Sequence, residues 1–170
     1  MQPASALQNI WQARKALVFT PLAVILLDQL TKAWVRATIP LSESRLPIPA
    51  LGNSLRIVHF DNAAAAFGLL GEEGAPFIVA FGFAAIGLIL FFYPRIAVAE
   101  PYMRWAFGFL LGGFVGNLID RLWQGYVTDI LVILLPNAFN VADLANLTGF
   151  LVLLIGYLEE SSAGQRAESR

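Results

Sequence analysis

Long apolar stretches dominate the chain and predict most of its elements. Four of them approach the length of about 20 residues that a helix needs to cross a bilayer. They run approximately over residues 16–37, 76–93, 105–122 and 139–158, and the polar stretches 1–13 and 159–170 are expected to form a lead and a tail outside them. The pattern predicts a mainly α-helical integral membrane protein. Its four transmembrane helices would form one bundle with both termini on the same side of the membrane.

The segment between the first two spans, residues 38–75, has a different character. Pro40, Pro47 and Pro49 argue against a helix there. The stretch from Leu55 to Phe60 is rich in strand-forming residues and alternates in part. We therefore predict a small β-containing segment on the extracytoplasmic side. The apolar connection 123–138 is too short to cross the membrane and return, so it is expected to lie on or dip into the interface.

Composition supports a single membrane domain over residues 1–170. The chain is 58% hydrophobic and 14% charged, whereas soluble domains hold about 45–50% apolar and about 25% charged residues. It has no cysteine, which excludes disulfides, thiolate metal sites, a cysteine nucleophile and a lipid-modified N-terminal cysteine. The single histidine, His59, cannot build a multi-histidine metal site and is expected to be a strand residue. We expect no cofactor and no nucleic-acid partner.

The distribution of cations favours cytoplasmic termini. If both termini are cytoplasmic, six of the eleven cations lie on the inner side of the membrane: Arg14, Lys15, Arg95, Arg104, Arg166 and Arg170. Two of the other five, Lys32 and Arg121, are within one helical turn of an aspartate, so they count less as free loop charges. All five aspartates fall toward the outer side. The four tryptophans lie near the ends of the spans, as in an aromatic belt.

The start of the chain resembles a signal peptide because Arg14 and Lys15 precede an apolar stretch. However, Asp28 and Lys32 follow where a small-residue cleavage site should be. We therefore expect an uncleaved first span.

Two aspartates, Asp129 and Asp143, flank the apolar stretch that leads into the last span. An ionised carboxylate at the centre of a membrane helix costs on the order of 2.5–3.5 kcal/mol on insertion scales. Two carboxyls in one dry site can share a proton and activate a water molecule. Asp143 also has a structural interpretation, because Asn140 three residues earlier makes a capping box possible. Asp129 has no such alternative.

Other polar residues fall at helical spacings. Asn117, Asp120 and Arg121 share one face of a helix. Asp120 and Arg121 either form an ion pair that ends the span or help to orient a neighbouring catalytic carboxylate. Asp28 and Lys32 are four apart, which predicts a salt bridge that anchors the end of the first span.

Small residues form two further patterns. Gly108, Gly112 and Gly116 lie on one helical stripe, which predicts close helix packing. Asn62 precedes a run of four alanines. That run indicates either backbone lying close to a bound peptide or a short helix or turn packed on the membrane surface.

These pieces, in this order, resemble lipoprotein signal peptidase (signal peptidase II), the membrane aspartic peptidase family of bacteria. The resemblance covers roughly residues 15–158 and rests on five motifs. They are Asp28-Gln29-x-x-Lys32, Asn62-Ala63-Ala64-Ala65-Ala66-Phe67-Gly68, Gly116-Asn117-Leu118-Ile119-Asp120-Arg121, Gly125-Tyr126-Val127-Thr128-Asp129 and Phe139-Asn140-Val141-Ala142-Asp143.

The resemblance implies an activity and a set of site residues. Asp129 and Asp143 match the family's catalytic dyad. The supporting and substrate-binding positions are Asn62, Asn117, Asp120, Arg121, Asn140, Asp28 and Lys32. The family removes the signal peptide from prolipoproteins whose cysteine carries diacylglycerol, uses no metal or cofactor, and is inhibited by globomycin-type peptides. The resemblance thus implies a monomer embedded in the lipid of the bacterial cytoplasmic (inner) membrane, with its active site near the extracytoplasmic face.

The chain departs from the family pattern near the expected substrate site. The family typically reads Asn-Thr-Gly-Ala-Ala-Phe where this chain has Asn62 followed by four alanines and Phe67, and Ile130 stands where an aromatic residue is common. Two alternatives therefore stay open. One is a divergent relative that binds lipoprotein or inhibitor without cleaving. The other is a small proton-coupled transporter, although the chain shows no inverted repeat and its acids cluster at one face.

Overall fold

Four long helices carry most of the chain. In the computed structural model, which describes residues 3–63, 74–99, 101–134 and 137–168, they are α1 (Pro3–Thr38), α2 (Ala75–Ala99), α3 (Pro101–Gln124) and α4 (Val141–Glu168). A short 3₁₀ helix, Pro49–Ser54, and four strands lie between them. The strands are β1 (Ser44–Arg45), β2 (Leu55–Asn62), β3 (Val127–Ile133) and β4 (Ala138–Phe139). The prediction of a mainly helical protein with a small β-containing segment is confirmed.

The helices extend beyond the apolar stretches that predicted them. The polar lead and tail are themselves helical, over residues 3–13 and 159–168. Likewise, α2 and α3 leave only residue 100 between them, whereas the predicted spans 76–93 and 105–122 lie eleven residues apart. Hydropathy marks the part of a helix that suits lipid, whereas backbone hydrogen bonds continue into polar turns that water can solvate.

Three of the helices are long and apolar enough to cross a membrane. The segments are Gln8–Thr38, Pro76–Pro94 and Val141–Ser162. Large apolar side chains such as Phe77 and Phe81 lie exposed on the outside of the bundle, where lipid rather than water would cover them. The helix α3 is not among the three because polar residues such as Asp120 and Arg121 lower its mean hydropathy. Many of its polar side chains face the protein, as the nearly complete burial of Asp120 shows.

Glycines allow α3 to pack closely against α1. The three glycines of the predicted stripe face three α1 residues at the same spacing: Gly108 against Thr20, Gly112 against Val24 and Gly116 against Asp28. A Cβ atom at Gly112 would lie 2.6 Å from Val24 Cβ and 3.0 Å from Pro21 Cα. The matching order also shows that α1 and α3 run in the same direction. The predicted role of the stripe in helix packing is confirmed.

The four strands form one antiparallel sheet in the order β1-β2-β3-β4. The predicted strand from Leu55 to Phe60 is confirmed as part of β2. The strand β3 was not predicted, since this segment was expected to be an interfacial connection. Five of its seven residues are buried, including four in succession, so its sequence lacks the alternation that identifies a half-exposed strand.

An apolar cluster packs the sheet against α1. Val35 and Ile39 of α1 and Ile130 of β3 are buried together, and Ile57, Leu131 and Val141 pack around them. The cluster therefore brings β3 and the first residue of α4 to the C-terminal end of α1.

A buried ion cluster, formed by Asp28, Lys32, Asn117 and Asp120, joins α1 to α3. Lys32 Nζ lies 2.7 Å from Asp28 Oδ2, 2.9 Å from Asp120 Oδ2 and 3.0 Å from Asn117 Oδ1. The predicted Asp28–Lys32 pair is confirmed, but it is buried inside the bundle. Asp120, for which an ion pair with Arg121 was one interpretation, bonds to Lys32 instead. Successive residues of a helix point about 100° apart, so Asp120 and Arg121 face different neighbours.

Each carboxylate of the ion cluster also accepts further hydrogen bonds. Asp28 Oδ1 accepts the backbone N–H of Ala142, at 2.9 Å, and Asp120 Oδ2 accepts the N–H of Thr128, at 3.3 Å. Gln29 Nε2 donates to Asp28 Oδ2, Asp120 Oδ1 and the Gly116 carbonyl at 3.1–3.2 Å. The ion cluster therefore connects α1 and α3 to the starts of β3 and α4.

We expect Gly112→Ala to destabilise the protein and Gly87→Ala to leave it at least as stable. The added methyl group at Gly112 meets Val24 and the backbone of Pro21, whereas nothing lies within 4 Å of a Cβ at Gly87. Overpacking of this kind costs roughly 1–3 kcal/mol, while alanine improves a helix by up to about 1 kcal/mol over glycine. Thermal unfolding of both variants in detergent measures the difference. Equal unfolding temperatures would contradict the close approach of α1 and α3.

Lys32→Met should destabilise the protein strongly, because it leaves Asp28 and Asp120 buried without their cation. Removing one partner of a buried ion pair typically costs about 3–5 kcal/mol. Adding Asp120→Asn to Lys32→Met should restore part of the stability, and Asp28→Asn should act mainly through stability as well. Lys15→Met, at an exposed lysine of the same helix, is the matched control. If Lys32→Met unfolds at the same temperature as Lys15→Met, the ion cluster does not hold the bundle together.

Candidate functional site

The structure brings Asp129 and Asp143 to the same asparagine. Asp129 is the third residue of β3 and only 3% exposed, while Asp143 lies in the first turn of α4 and is partly exposed. Asn140 Nδ2 donates to Asp129 Oδ1 at 2.9 Å, and the Asn140 backbone N–H donates to Asp143 Oδ2 at 3.3 Å. One carboxyl is thus shielded, and the other can meet water or a ligand.

Asn140 and Asp143 form a capping box at the start of α4. Asn140 Oδ1 accepts the backbone N–H of Asp143 at 2.9 Å, and the Asp143 carboxylate accepts the N–H of Asn140 in return. The structural interpretation of Asp143 is therefore confirmed. The cap uses only Asp143 Oδ2, because Oδ1 accepts a hydrogen bond of 2.8 Å from Asn117 Nδ2. Capping and a chemical role are thus compatible in this residue.

Fixed donors set the orientation of both asparagine side chains. Lys32 Nζ and a backbone N–H can only donate hydrogen bonds. Asn117 Oδ1 accepts from Lys32, so its amide nitrogen faces Asp143. Asn140 Oδ1 accepts from the Asp143 N–H, so its amide nitrogen faces Asp129. Each carboxyl is consequently held by an N–H donor whose direction is fixed by its other partner.

A β-bulge brings Asn62 into the site. The pairing of β2 with β3 shifts between Ile57 and Phe60, after which Asn62 lies opposite Val127. Opposed residues share a face of the sheet, and so do residues two apart along a strand. Asn62 is therefore on the face of Asp129, and its Nδ2 donates to Asp129 Oδ2 at 2.9 Å. Without the extra residue in β2, Asn62 would point to the other face.

The family motif that begins at Asn62 is only partly described. Asn62 and Ala63 are described, whereas residues 64–68 lie outside the described residues. Of the two alanines that replace the family's threonine and glycine, Ala63 is described and residue 64 lies outside the described residues.

The other residues of the predicted site lie close to the dyad or support it. Arg121 Nη1 donates to the Asn117 carbonyl at 3.4 Å, and its charge interacts with Asp129, Asp143 and Asp120. Asp28, Lys32 and Asp120 do not contact the dyad carboxyls in the described hydrogen bonds. They act through the ion cluster. His59 is a strand residue, as predicted, and its Nδ1 lies 2.7 Å from the Ile39 carbonyl.

Three supporting residues were assigned no role from the sequence: Arg36, and also Gln29 and Thr128, which stand in two of the five motifs. The hydroxyl of the fully buried Thr128 accepts from Arg36 Nη1 at 3.0 Å and from Gln124 Nε2 at 3.2 Å. Gln29 and Arg36 belong to α1, far from their partners in sequence, so no local spacing signals these contacts.

Burial sets the electrostatics of Asp129. Desolvation raises the pKa of its carboxyl from 3.8 to about 6, the hydrogen bond from Asn62 opposes this shift, and the negative charge of Asp143 adds to it. A carboxyl with this pKa can exchange its proton near neutral pH. Among the described residues, no three His, Cys, Asp or Glu side chains are grouped so as to hold a metal ion.

Comparison with known proteins gives consistent matches over most of the chain. The family profile described as Signal peptidase (SPase) II matches residues 20–159. The chain is 36% identical over 132 residues to the lipoprotein signal peptidase of Moorella thermoacetica, which covers 78% of this chain and 85% of the relative. It is 32% identical over 154 residues to that of Pelotomaculum thermopropionicum, with coverage of 90% and 99%.

Solved structures agree with these sequence matches. A bacterial membrane enzyme structure determined by the in meso method superposes with a TM-score of 0.80 at 26% identity, covering 86% of this chain and 90% of the other. A second structure described in the same way gives a TM-score of 0.75 at 26% identity, with coverage of 84% and 92%. The chain therefore belongs to the signal peptidase II family, as its five motifs predicted.

Proposed function

We propose that this chain is a membrane aspartic endopeptidase that removes the signal peptide from diacylglyceryl-modified prolipoproteins. The observation that carries the proposal is the arrangement of Asp129 and Asp143 around Asn140, with each carboxyl held by oriented amide donors. Membership of the family supports the substrate class, since the relatives are lipoprotein signal peptidases.

In the active form, the two carboxyls together would carry one proton, and that proton would be on Asp129. The charge of Asp143 is among the causes that raise the pKa of Asp129 to about 6, after burial, which is the largest. We assign the negative charge to Asp143 because it is partly exposed, so that water can solvate its charge, whereas Asp129 is buried. Asp143 also lies in the first turn of α4, where the helix dipole stabilises negative charge. In the active form, Asp143 is the base and Asp129 is the acid.

Hydrolysis then follows in two steps. Asp143 takes a proton from a water molecule as the water oxygen attacks the scissile carbonyl carbon, and the protonated Asp129 donates a hydrogen bond to the carbonyl oxygen. The tetrahedral intermediate collapses when the C–N bond breaks and the leaving nitrogen accepts the proton that Asp143 took. The products are the signal peptide with a free carboxyl and the lipoprotein with a free amine. Asp129 still holds its proton.

We further propose that all four helices cross the membrane, with both termini cytoplasmic and the dyad near the extracytoplasmic face. Trp105 and Trp123 lie near opposite ends of α3 and are exposed. Trp123 follows Trp105 by eighteen positions, which is about 27 Å of helix and close to the bilayer's hydrocarbon thickness of about 30 Å. In this placement the segment over residues 38–75 is extracytoplasmic and can hold the peptide. The substrate's acyl chains stay in lipid, and the chain acts as a monomer.

Asp129→Asn and Asp143→Asn should each abolish cleavage, because an amide at position 143 cannot take the proton from water, and an amide at position 129 is a much weaker hydrogen-bond donor to the carbonyl oxygen than a carboxyl group. We expect turnover to fall by on the order of 10²–10⁴-fold or more. Asp61→Asn is the matched control, since Asp61 faces His59 at 3.9 Å and should keep turnover within about twofold, as expected for a site away from the chemistry. The assay follows release of signal peptide from diacylglyceryl-modified prolipoprotein by the purified full-length protein.

Binding of a globomycin-type peptide to each variant shows whether the site is still folded. Near-normal turnover in either dyad variant would refute the aspartic mechanism. If the unaltered protein binds modified precursor without releasing a product, it is a non-cleaving relative instead. Proton flux into liposomes that requires Asp129 would favour a transporter.

The rate should depend on pH through Asp129. The active form needs Asp129 protonated, so kcat/KM should fall as pH rises through a value near 6, the pKa of this carboxyl in the free protein. Bound peptide should exclude water from the site and thereby raise the pKa of Asp129. The fall of kcat with rising pH should therefore occur at higher pH than the fall of kcat/KM. Asn62→Ala removes a hydrogen bond that lowers the pKa of Asp129, so its alkaline limb should move to higher pH. Profiles of kcat/KM for both proteins test this, and a shift to lower pH in Asn62→Ala would contradict the assignment of the proton.

A further inference from the structure

A cavity with two basic residues in a largely apolar wall lies at the other end of the α1–α3 pair. It has a volume of about 430 Å³. Its walls include Gln12, Lys15, Phe19, Thr20, Arg104 and Trp105. Gly108 packs directly against Thr20, so the close contact of α1 with α3 bounds the cavity on the side toward the middle of the bundle.

The cavity is separate from the dyad. Lys15 precedes Asp28 by thirteen residues on α1, and Arg104 precedes Asp120 by sixteen on α3. At 1.5 Å per residue these separations correspond to about 20 Å and about 24 Å. The ion cluster, which holds the dyad, is thus near one end of the bundle and the cavity near the other. In a membrane the two would lie in opposite leaflets.

The side chains of the cavity suit an anion that borders on lipid. Lys15 and Arg104 supply two positive charges, and none of the described residues named in its walls is acidic. Arg104 is only 4% exposed and donates from Nη1 to Gln12 Oε1 at 2.9 Å, which fixes its position. Lys15 is exposed, and its Nζ lies 3.4 Å from the centre of the Trp11 ring.

The apolar part of the wall faces outward. Phe19 and Trp105 line the cavity and are both more than half exposed. Tryptophan is enriched where helices pass the headgroup level of a bilayer, and basic pockets between helices at that level bind anionic headgroups. A small soluble anion would contact the two cations but would leave both aromatic side chains uncovered. A lipid would use both parts of the wall.

We infer that this cavity binds the phosphate of an anionic phospholipid, with Lys15 and Arg104 on the phosphate and the acyl chains along Phe19 and Trp105. The lipid belongs to the leaflet on the opposite side of the membrane from the dyad. It would hold α1 near Lys15 and the start of α3 at the membrane surface. The inference does not depend on cleavage of a prolipoprotein, because its site shares no residue with the dyad or the ion cluster.

Native mass spectrometry of the delipidated full-length protein in detergent, titrated with phosphatidylglycerol, tests the inference. Lys15→Gln should weaken binding about fivefold, as expected for the loss of one cation near an anionic headgroup. Arg14→Gln is the matched control, because Arg14 is also exposed and adjacent in sequence but is not part of the cavity wall. It should change the affinity by less than about twofold, and Lys15→Arg should bind like the unaltered protein.

Two further probes separate a lipid site from a simple anion site. Zwitterionic phosphatidylcholine should bind more weakly than phosphatidylglycerol, and inorganic phosphate at the same concentration should not displace the bound lipid. Equal effects of Lys15→Gln and Arg14→Gln, equal affinity for the two lipids, or displacement by inorganic phosphate would each overturn the inference. Thermal unfolding of Lys15→Gln confirms that the variant is folded, and the binding readout stands whether or not the protein cleaves prolipoprotein.

Discussion

The rest of the structure depends on the contacts that the buried ammonium group of Lys32 makes with Asp28 and Asp120. The ammonium group neutralises Asp28 and Asp120 in a place where water cannot do so, and it fixes the amide of Asn117. Burying ions is expensive, and a buried pair is by itself weak evidence for stability. Here the carboxylates also accept hydrogen bonds from Gln29 and from two backbone N–H groups, so the network is well satisfied. Such a network tolerates only one arrangement of its partners, and that arrangement sets how α1, α3, β3 and α4 meet.

The two carboxylates of the ion cluster each hold the residue directly before one aspartate of the dyad. Asp28 accepts the N–H of Ala142, which precedes Asp143, and Asp120 accepts the N–H of Thr128, which precedes Asp129. The dyad carboxyls themselves are oriented by the amides of Asn117 and Asn140. Lys32 therefore acts on the backbone through Asp28 and Asp120, and on the side chain of Asp143 through Asn117. This explains why so many charged residues are buried at this end of the bundle although few of them touch the dyad.

The parts of this arrangement that the sequence predicted are local. The Asp28–Lys32 pair, the capping box of Asn140 and Asp143, and the glycine stripe of α3 follow from spacings of three and four residues within one helix. The contacts that were not predicted join distant segments. Asp120 bonds to Lys32 rather than pairing with Arg121, Gln29 reaches the Gly116 carbonyl, and Asn62 reaches Asp129 only because β2 is bulged. The strand β3 escaped prediction because burial removes the alternation by which strands are recognised. Local periodicity therefore identified the candidate residues, while tertiary packing decided how they contact one another.

The packing between the two polar ends of the bundle argues for hydrolysis rather than transport. A proton pathway needs polar side chains or water at intervals through the membrane. Between the cavity near Arg104 and the ion cluster near Asp120, α1 and α3 meet through Gly108, Gly112 and Gly116, where even a methyl group would collide with α1. In the described part of this interface, no space is left for a file of water. The acids at the end near Asp129 and Asp143 are then available for chemistry at that end of the bundle, as the proposed peptidase mechanism requires.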